Sequence, residues 1–548
     1  MLRNILLINS LFFFLFLASC EEFYNFEANK LNEKNRAIVE KSQTETDPSK
    51  KLIMLNEVLK NYNKIQKRYK KTKIARKHRK EKIINKIEKE IENLTIIALK
   101  EKNKKKKNKE IDNIRNEISL ANVEFKNSNI KKSINHLLTA AELSISQIGD
   151  TRTKARLENQ IANIRINLKT NEKAFINLKK SEEFTKQIYI DLPKKIKHLS
   201  NIYIMLNDIN KKNEMNEIQN SIYKIINDEI KNNDNKASAL LEIINANLKL
   251  KNIEKVNNDL NTVEEYAEKS STYLEIAKIY YKINNKNKMH KFLEKSKNAA
   301  KLKDQEFWIV RELINVALFE NNIFLKKESN LTLIEAKKYI PENPDGRLVL
   351  ELITAYAKIS NFDQAEELLK LIKPGYEKSM AMAVIGKELA LIKNTENMKI
   401  FLNKAINTVP DLVSGKYALG LPGFSTKGRV FMEVAKAYAL ADDFNNSHEI
   451  IGLIESDRFY KEGISEILII QAKKDKKGAI ELASKLINHG GKIIDTKILG
   501  KIASAQAICG EFEDSLISLN KMSLGFDFSQ TIIDIANYFN PQRVNLLI

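Results

Sequence analysis

The sequence predicts an all-α fold in which a long array of helix pairs follows a set of basic helices. Three observations predict it. Only 8 Pro and 16 Gly occur in 548 residues, and neither occurs between Ser49 and Ile148, so few positions force the backbone out of a helix. Apolar residues recur at three- and four-residue steps, as in Leu52, Leu55, Leu59, Tyr62, Ile65 and Tyr69, and again in Ile84, Ile87, Ile91, Leu94 and Ala98. That is the period of an amphipathic helix. Finally, the segment EVAKAYALADDFNNS from Glu433 returns in altered form along most of the chain. A chain this long outgrows one core, and such self-similarity marks stacked units.

The elements follow in order. Arg3 precedes a short apolar run, Ile5 to Leu17, which Asn9 and Ser10 interrupt and Glu21 and Glu22 end. A membrane-crossing helix needs about 20 apolar residues, so residues 1–19 read as a signal sequence. Residues 20–47 are polar without a sustained period and are expected to form a flexible tether. Asp47 and Pro48 fit an N-cap and a first helical residue. Residues 48–115 form a basic helical stalk: residues 51–115 hold 23 Lys or Arg against 8 Asp or Glu, most of the chain's net +22.

The densest charge gives the candidate polyanion contacts: Lys67, Arg68, Lys70, Lys71, Arg76, Lys77, Arg79 and Lys80, then Lys104, Lys105, Lys106 and Lys107. An anionic lipid surface or an anionic glycan suits them. Nucleic acid is not expected, because no base-stacking aromatic pattern accompanies the charge. The bland alternative is a solvated helix face in a Lys-rich chain.

Residues 116–540 carry the repeats. KIASAQAICGEFEDS starts at Lys501, ELITAYAKISNFDQA at Glu351, EIAKIYYKINNKNKM at Glu275, EIINANLKLKNIEKV at Glu242 and QIANIRINLKTNEKA at Gln160; weaker copies start at Ser119, His198, Glu312, Val384 and Glu466, and a truncated one at Asp534. Each unit offers an aliphatic–small pair such as Val434-Ala435, often a bulky residue such as Tyr438, Tyr356 or Tyr280, a polar turn, and a second helix beginning with Ser447, Ala365 or Ser515. Two antiparallel helices per unit satisfy this pattern: the small residue lets them approach and the bulky one fills the gap.

Two resemblances follow. Leu17-Ala18-Ser19-Cys20 resembles the bacterial lipobox, which implies cleavage before Cys20 and a covalent diacylglycerol and acyl chain on that residue. The Lys, Asn and Ile bias is similar to that of spirochaetal proteins. Leu352, Tyr356 and Ala365 in ELITAYAKISNFDQAEELL, with Ala405 and Pro410 at the end of another unit, resemble the tetratricopeptide repeat. That resemblance implies a right-handed α-α superhelix of about eleven or twelve helix pairs, departing from the family in irregular spacing and in lacking the early Trp. It also implies binding to other proteins or peptides.

Asn122, Asn163, Asn201, Asn245 and Asn315, with Asn537, are read at the fourth position of their units. In the resembled family this position faces the groove, where Asn can bond a peptide backbone; bonding between neighbouring repeats is the plainer role. The stretch 409–429, with Gly415, Gly420, Gly423 and Gly428, reads as a loop inserted into the array, a common place for added specificity. The six His residues are scattered and lie in no zinc-binding spacing, no phosphate-cradling loop occurs, and Cys509 on an apolar pattern reads as a buried thiol. No cofactor and no catalysis are expected. The sequence therefore points to a lipid-anchored interaction scaffold in a bacterial cell envelope, on the outer membrane's periplasmic face. A surface adhesin and a wall-modifying enzyme are the alternatives.

Overall fold

The computed structural model describes residues 2–188, 191–409, 426–489 and 495–540. Its elements are α1 (Leu2–Thr44), α2 (Pro48–Arg68), α3 (Lys73–Lys80), α4 (Ile83–Lys126), α5 (Ile130–Ile145), α6 (Thr151–Asn167), α7 (Asn171–Lys186), α8 (Leu192–Asp208), α9 (Lys212–Lys224), α10 (Asn233–Lys249), α11 (Ile253–Tyr266), α12 (Ser270–Lys282) and α13 (Lys286–Lys301). They continue with α14 (Glu306–Asn322), α15 (Lys326–Lys337), α16 (Gly346–Lys358), α17 (Phe362–Leu368), α18 (Tyr376–Leu391), α19 (Thr395–Thr408), α20 (Thr426–Leu440), α21 (Phe444–Gly452), α22 (Asp457–Lys474), α23 (Lys476–His489), α24 (Thr496–Cys509), α25 (Phe512–Asn520) and α26 (Phe526–Tyr538). No strand occurs among the described residues. Two compact units result, 1–113 and 114–548, with the division inside α4.

In the first unit, α1, α2, α3 and the start of α4 share a small core of Ala28, Val58, Tyr62, Ile65, Tyr69, Ala75 and Ile87. Asp47 accepts hydrogen bonds from the backbone N–H groups of Ser49 and Lys50, and Pro48 occupies the first turn. This is the start expected from the sequence. The expected tether is corrected here: α1 continues through Thr44 and packs against α2. Its buried stripe contains Ala28, Asn35 and Ser42, with Leu31, Ile38 and Val39 alongside. Two polar residues inside the stripe hide its period. Asn35 is satisfied by Val58 O at 3.4 Å and by the Asn61 amide at 2.9 Å.

The second unit is an all-α superhelical solenoid. Helices from α4–α5 to α24–α25 form successive antiparallel pairs, and α26 follows. From α6 onward the first helix of each pair (the A helix) packs on the A helices beside it, and its partner (the B helix) covers it. Between A and B helices, except at α22–α23 where Asp475 has φ −133°, one residue turns left-handed: Ser128, Lys169, Asn210, Lys251, Asn284, Phe324, Ser360, Lys393, Asp442 and Gly510. At each such turn a 6→1 backbone bond, such as Asp443 N to Tyr438 O at 2.9 Å, reaches back into the A helix. This is a Schellman closure. Asn252, Asn285, Asn361 and Asn394 then cap the B helices through their side chains, which gives much of the Asn content a local task. Across the pair, Ser133, Ser329 and Ser447 donate to Ala121 O, Ala317 O and Ala435 O at 2.7 to 2.8 Å. Tyr280, Tyr356 and Tyr438 are buried, as their gap-filling role requires.

The array also closes on itself, which the sequence did not announce. α26 packs against α5 and α6, and one core joins Ile118, Leu137 and Ile161 to Phe512, Phe528 and Ile532. Phe125 stacks on Phe512 at 4.0 Å, with Phe539 edge-on to Phe512 at 4.8 Å. Lys126 pairs with Glu513 at 3.0 Å. Ser144 Oγ and Ser529 Oγ lie 2.6 Å apart in this seam. Ser270 and Ser296 make the same contact at 3.1 Å between α12 and α13. Thus α5 covers α26 as α13 covers α12.

Candidate binding face

The left-handed turns set the repeat register, because each stands at a fixed distance beyond the aliphatic–small pair of its A helix. By that ruler Asn122, Asn163 and Asn245 hold the fourth position, whereas Asn201 and Asn315 hold the first. Leu199-Ser200 and Leu313-Ile314 imitate the pair, but Ile202-Tyr203 and Val316-Ala317 occupy it. The correction leaves the five Asn on separate helices. Asn245 donates to Leu241 O within its own helix at 2.9 Å, and its Oδ1 accepts from Lys282 at 3.5 Å. Asn122 Oδ1 is buried without a partner. Asn163 and Asn201 are half-buried.

Only Asn315, exposed, enters an open cleft of about 430 Å³. Four successive A helices touch it: α14 gives Arg311, Ile314 and Leu318, α16 gives Leu350, Glu351, Thr354 and Lys358, α18 gives Tyr376, Met380 and Val384, and α20 gives Arg429 and Glu433. One cleft reached from four neighbouring helices means that this face curves inward. Its floor is aliphatic and its rim is charged. Lys358 and Arg429 are exposed and in no ion pair among the described residues.

Other charges on this face stitch adjacent A helices together, in four places with the cation on the earlier helix. Arg311 meets Glu351 at 3.7 Å, Lys387 meets Glu433 at 3.2 Å, Lys436 meets Glu466 at 2.6 Å, and Lys197 meets Glu242 at 3.9 Å. Burial pushes the Glu433 carboxyl upward, but Lys387 and Lys436 together outweigh it and hold the group below its ordinary value. Glu242 goes the other way: burial raises it, Lys197 only partly compensates, and Glu275 adds to the rise. Sequence reading missed Arg311, Lys358, Tyr376 and Arg429. The available signal, for Arg311 and Arg429, was a basic residue four positions before the first position of a unit, which Lys197 shares once the register is set by the turns.

A second polar cluster is buried between α5, α6 and α7. Arg165 pairs with Glu142 at 2.5 Å, and the Asn177 amide donates to Glu142 at 3.0 Å and to Glu158 at 2.5 Å. Burial pushes the Glu158 carboxyl up to about 7, against the lowering effect of the Asn177 bond. Cys509 is buried, its thiol 3.6 Å from Lys476 O, and burial raises its pKa.

Of the polyanion candidates, Lys67, Arg68, Lys70, Lys71, Arg76, Lys77, Arg79 and Lys104 to Lys107 are exposed. Arg76 and Arg79 are nevertheless occupied, donating to Lys71 O and Lys70 O at 2.8 Å. The side chains of Lys80, Leu17, Ala18, Ser19 and Cys20 lie outside the described residues, as does the stretch 410–425 that makes up most of the inserted loop. Among the described residues no helix is long and apolar enough to cross a membrane, and no group of three His, Cys, Asp or Glu is placed to hold a metal ion.

No protein-family model and no curated protein matches the chain. Solved structures do resemble it. A protein from Thermococcus onnurineus NA1 is 12% identical over 72% of this chain and 99% of that one, with a TM-score of 0.25. The human IFIT1 dimer with PPP-AAAA is 16% identical over 68% and 94%, with a TM-score of 0.24. A circular tandem repeat protein is 8% identical over 90% and 98%, with a TM-score of 0.16. Scores of this size carry no argument, so the tetratricopeptide-like fold rests on the helices and turns described above.

Proposed function

We propose that this chain is a lipid-anchored scaffold that holds a partner protein against the A-helix face of its array. The observation that carries this reading is the cleft across α14, α16, α18 and α20. An aliphatic floor beside two unpaired cations suits an extended segment carrying both apolar and acidic side chains. Exclusion of water from the floor supplies affinity, and Lys358 and Arg429 orient the segment. The signal sequence and Cys20 support attachment through acyl chains on the outer membrane's periplasmic face. Two or more chains are needed for stable anchoring.

A photo-crosslinking residue placed at Asn315, Lys358 or Arg429 is expected to trap a discrete partner in cells. The same residue at Ile176 or Ile253, exposed on B helices α7 and α11, is expected to trap none. Equal trapping at both sets removes the inner face as the docking surface. Separately, Cys20→Ala is expected to abolish fatty-acid labelling and release the chain from membranes; a labelled or membrane-retained variant overturns the anchor.

A further inference from the structure

The α2–α3 corner of the first unit brings together two features that are far apart in sequence. α1 and α2 run antiparallel, since Asn35 bonds to Val58 and Asn61 while the Tyr24 ring meets Tyr69 at 5.9 Å. The corner, residues 69–72, therefore stands beside the stretch of α1 that directly follows Cys20. There α1 exposes Phe23 (60%), Tyr24 (46%) and Phe26 (63%), large rings that a water-facing helix has no reason to present. On the corner, Lys67, Arg68, Lys70, Lys71 and Lys73 are exposed, and none is in an ion pair among the described residues.

The corner is also held rigid. Arg79 donates to Lys70 O and to Gln66 Oε1 at 2.8 and 2.9 Å, Arg76 donates to Lys71 O at 2.8 Å, and the Gln66 amide donates to Ala75 O at 2.8 Å. Thr72 caps α3 and donates to Tyr69 O at 2.8 Å. Two guanidinium groups thus fix the backbone that displays the five cations, of which Arg68 lies over the Tyr69 ring at 6.0 Å. The carboxylates nearby on α1, Glu22 and Glu27, are outnumbered.

We propose that this corner is an interfacial membrane contact: Phe23, Tyr24 and Phe26 enter the headgroup boundary of a bilayer while Lys67, Arg68, Lys70, Lys71 and Lys73 bind its anionic lipids. Tyr24 stands beside the clustered ammonium and guanidinium groups, with exposed Phe23 and Phe26 adjoining it along α1, and that combination matches the boundary, where ring bodies are apolar-facing and cations meet lipid phosphate. An anionic glycan would explain the cations but would leave the three rings in water. The contact stands whether or not Cys20 is acylated, and it would seat the first unit flat against a surface to which an acyl chain merely tethers it.

The test uses the unacylated full chain with vesicles of pure phosphatidylcholine or with about 30 mol% phosphatidylglycerol, at physiological salt. At up to about 1 kcal/mol per surface-bound cation, binding to the anionic vesicles is expected to be at least roughly tenfold tighter. The combined variant Lys67→Glu, Arg68→Glu, Lys70→Glu and Lys71→Glu is expected to bring that ratio close to one, with helix content by circular dichroism confirming that it folds. Reversing Lys104 to Lys107 to Glu changes the net charge equally and is expected to keep the preference. Equal losses in the two variants, or heparin binding without preference for the anionic vesicles, overturn the proposal. The acyl anchor is tested by Cys20→Ala and fails independently.

Discussion

Closure of the array can be tested with a cross-link. Ser144 and Ser529 approach to 2.6 Å across the seam although 385 residues separate them. Replacing both with Cys in a Cys20→Ala, Cys509→Ala background places the thiols where a disulfide needs little movement. Chain-entropy arithmetic for a loop of that length gives about 6 kcal/mol at 25 °C, an upper figure because strain and residual structure reduce it. A realised gain of about 4 kcal/mol, spread over the roughly 430 residues of the unit at about 2 cal/mol/K each, raises the melting midpoint by ~4 °C if the unit melts as one. The assay is non-reducing electrophoresis, where the looped chain migrates faster, followed by melting with and without reductant. Closure is refuted if only intermolecular disulfides form under mild oxidation, or if the intramolecular link lowers the midpoint.

Phe324 adopts φ 65° in an A–B turn and is 82% exposed, so Phe324→Gly is expected to stabilise by about 1 kcal/mol by removing left-handed strain; urea titration measures it, and a lower midpoint sinks the idea. At Gly386 an added Cβ would stand 2.4 Å from Leu402 Cδ2 in the α18–α19 contact, so Gly386→Ala is expected to cost about 1–3 kcal/mol, and an unchanged denaturation curve would contradict that packing. Glu158 binds its proton more tightly folded, at about 7, than its ordinary 4.5. Its contribution is therefore fully present below pH 4.5 and lost as pH rises through 7, a loss on the order of 3 kcal/mol. Glu158→Gln is expected to flatten that part of the stability profile, and an unaltered slope would show that other groups set it.

Fold class and repeat architecture were legible because they depend on period and on small-residue placement, which survive without tertiary information. Ser447 and Ala365 announced the start of the B helix from local pattern alone. Register in two units was misread, since Leu313-Ile314 and Leu199-Ser200 offer an aliphatic pair and an aliphatic–small pair three residues before the true ones. In the first of these units only the left-handed residue Phe324, a type that gives no turn signal, marks the true pair. The helical course of residues 20–44 was hidden by Asn35, which is buried because Val58 and Asn61 across the bundle satisfy it, and by Ser42, which donates back to Val39 O in its own helix. The cleft was hidden for a different reason. It draws on four helices at once, and no segment-by-segment reading sums contributions from Arg311 to Arg429. Likewise Tyr24 and Tyr69 meet only because α2 doubles back.

An open chain of stacked units always has two that touch a single neighbour, and these fray first. Here α26 packs against both α5 and α6, so the last helix of the array is not left with a bare outer face. The array should therefore tolerate relocation of its termini: a permutant opened at another A–B turn, with the old ends joined across the seam, keeps every interface the native order makes. Deleting α26 alone, by contrast, strips a neighbour from both sides and leaves an arc with two raw edges.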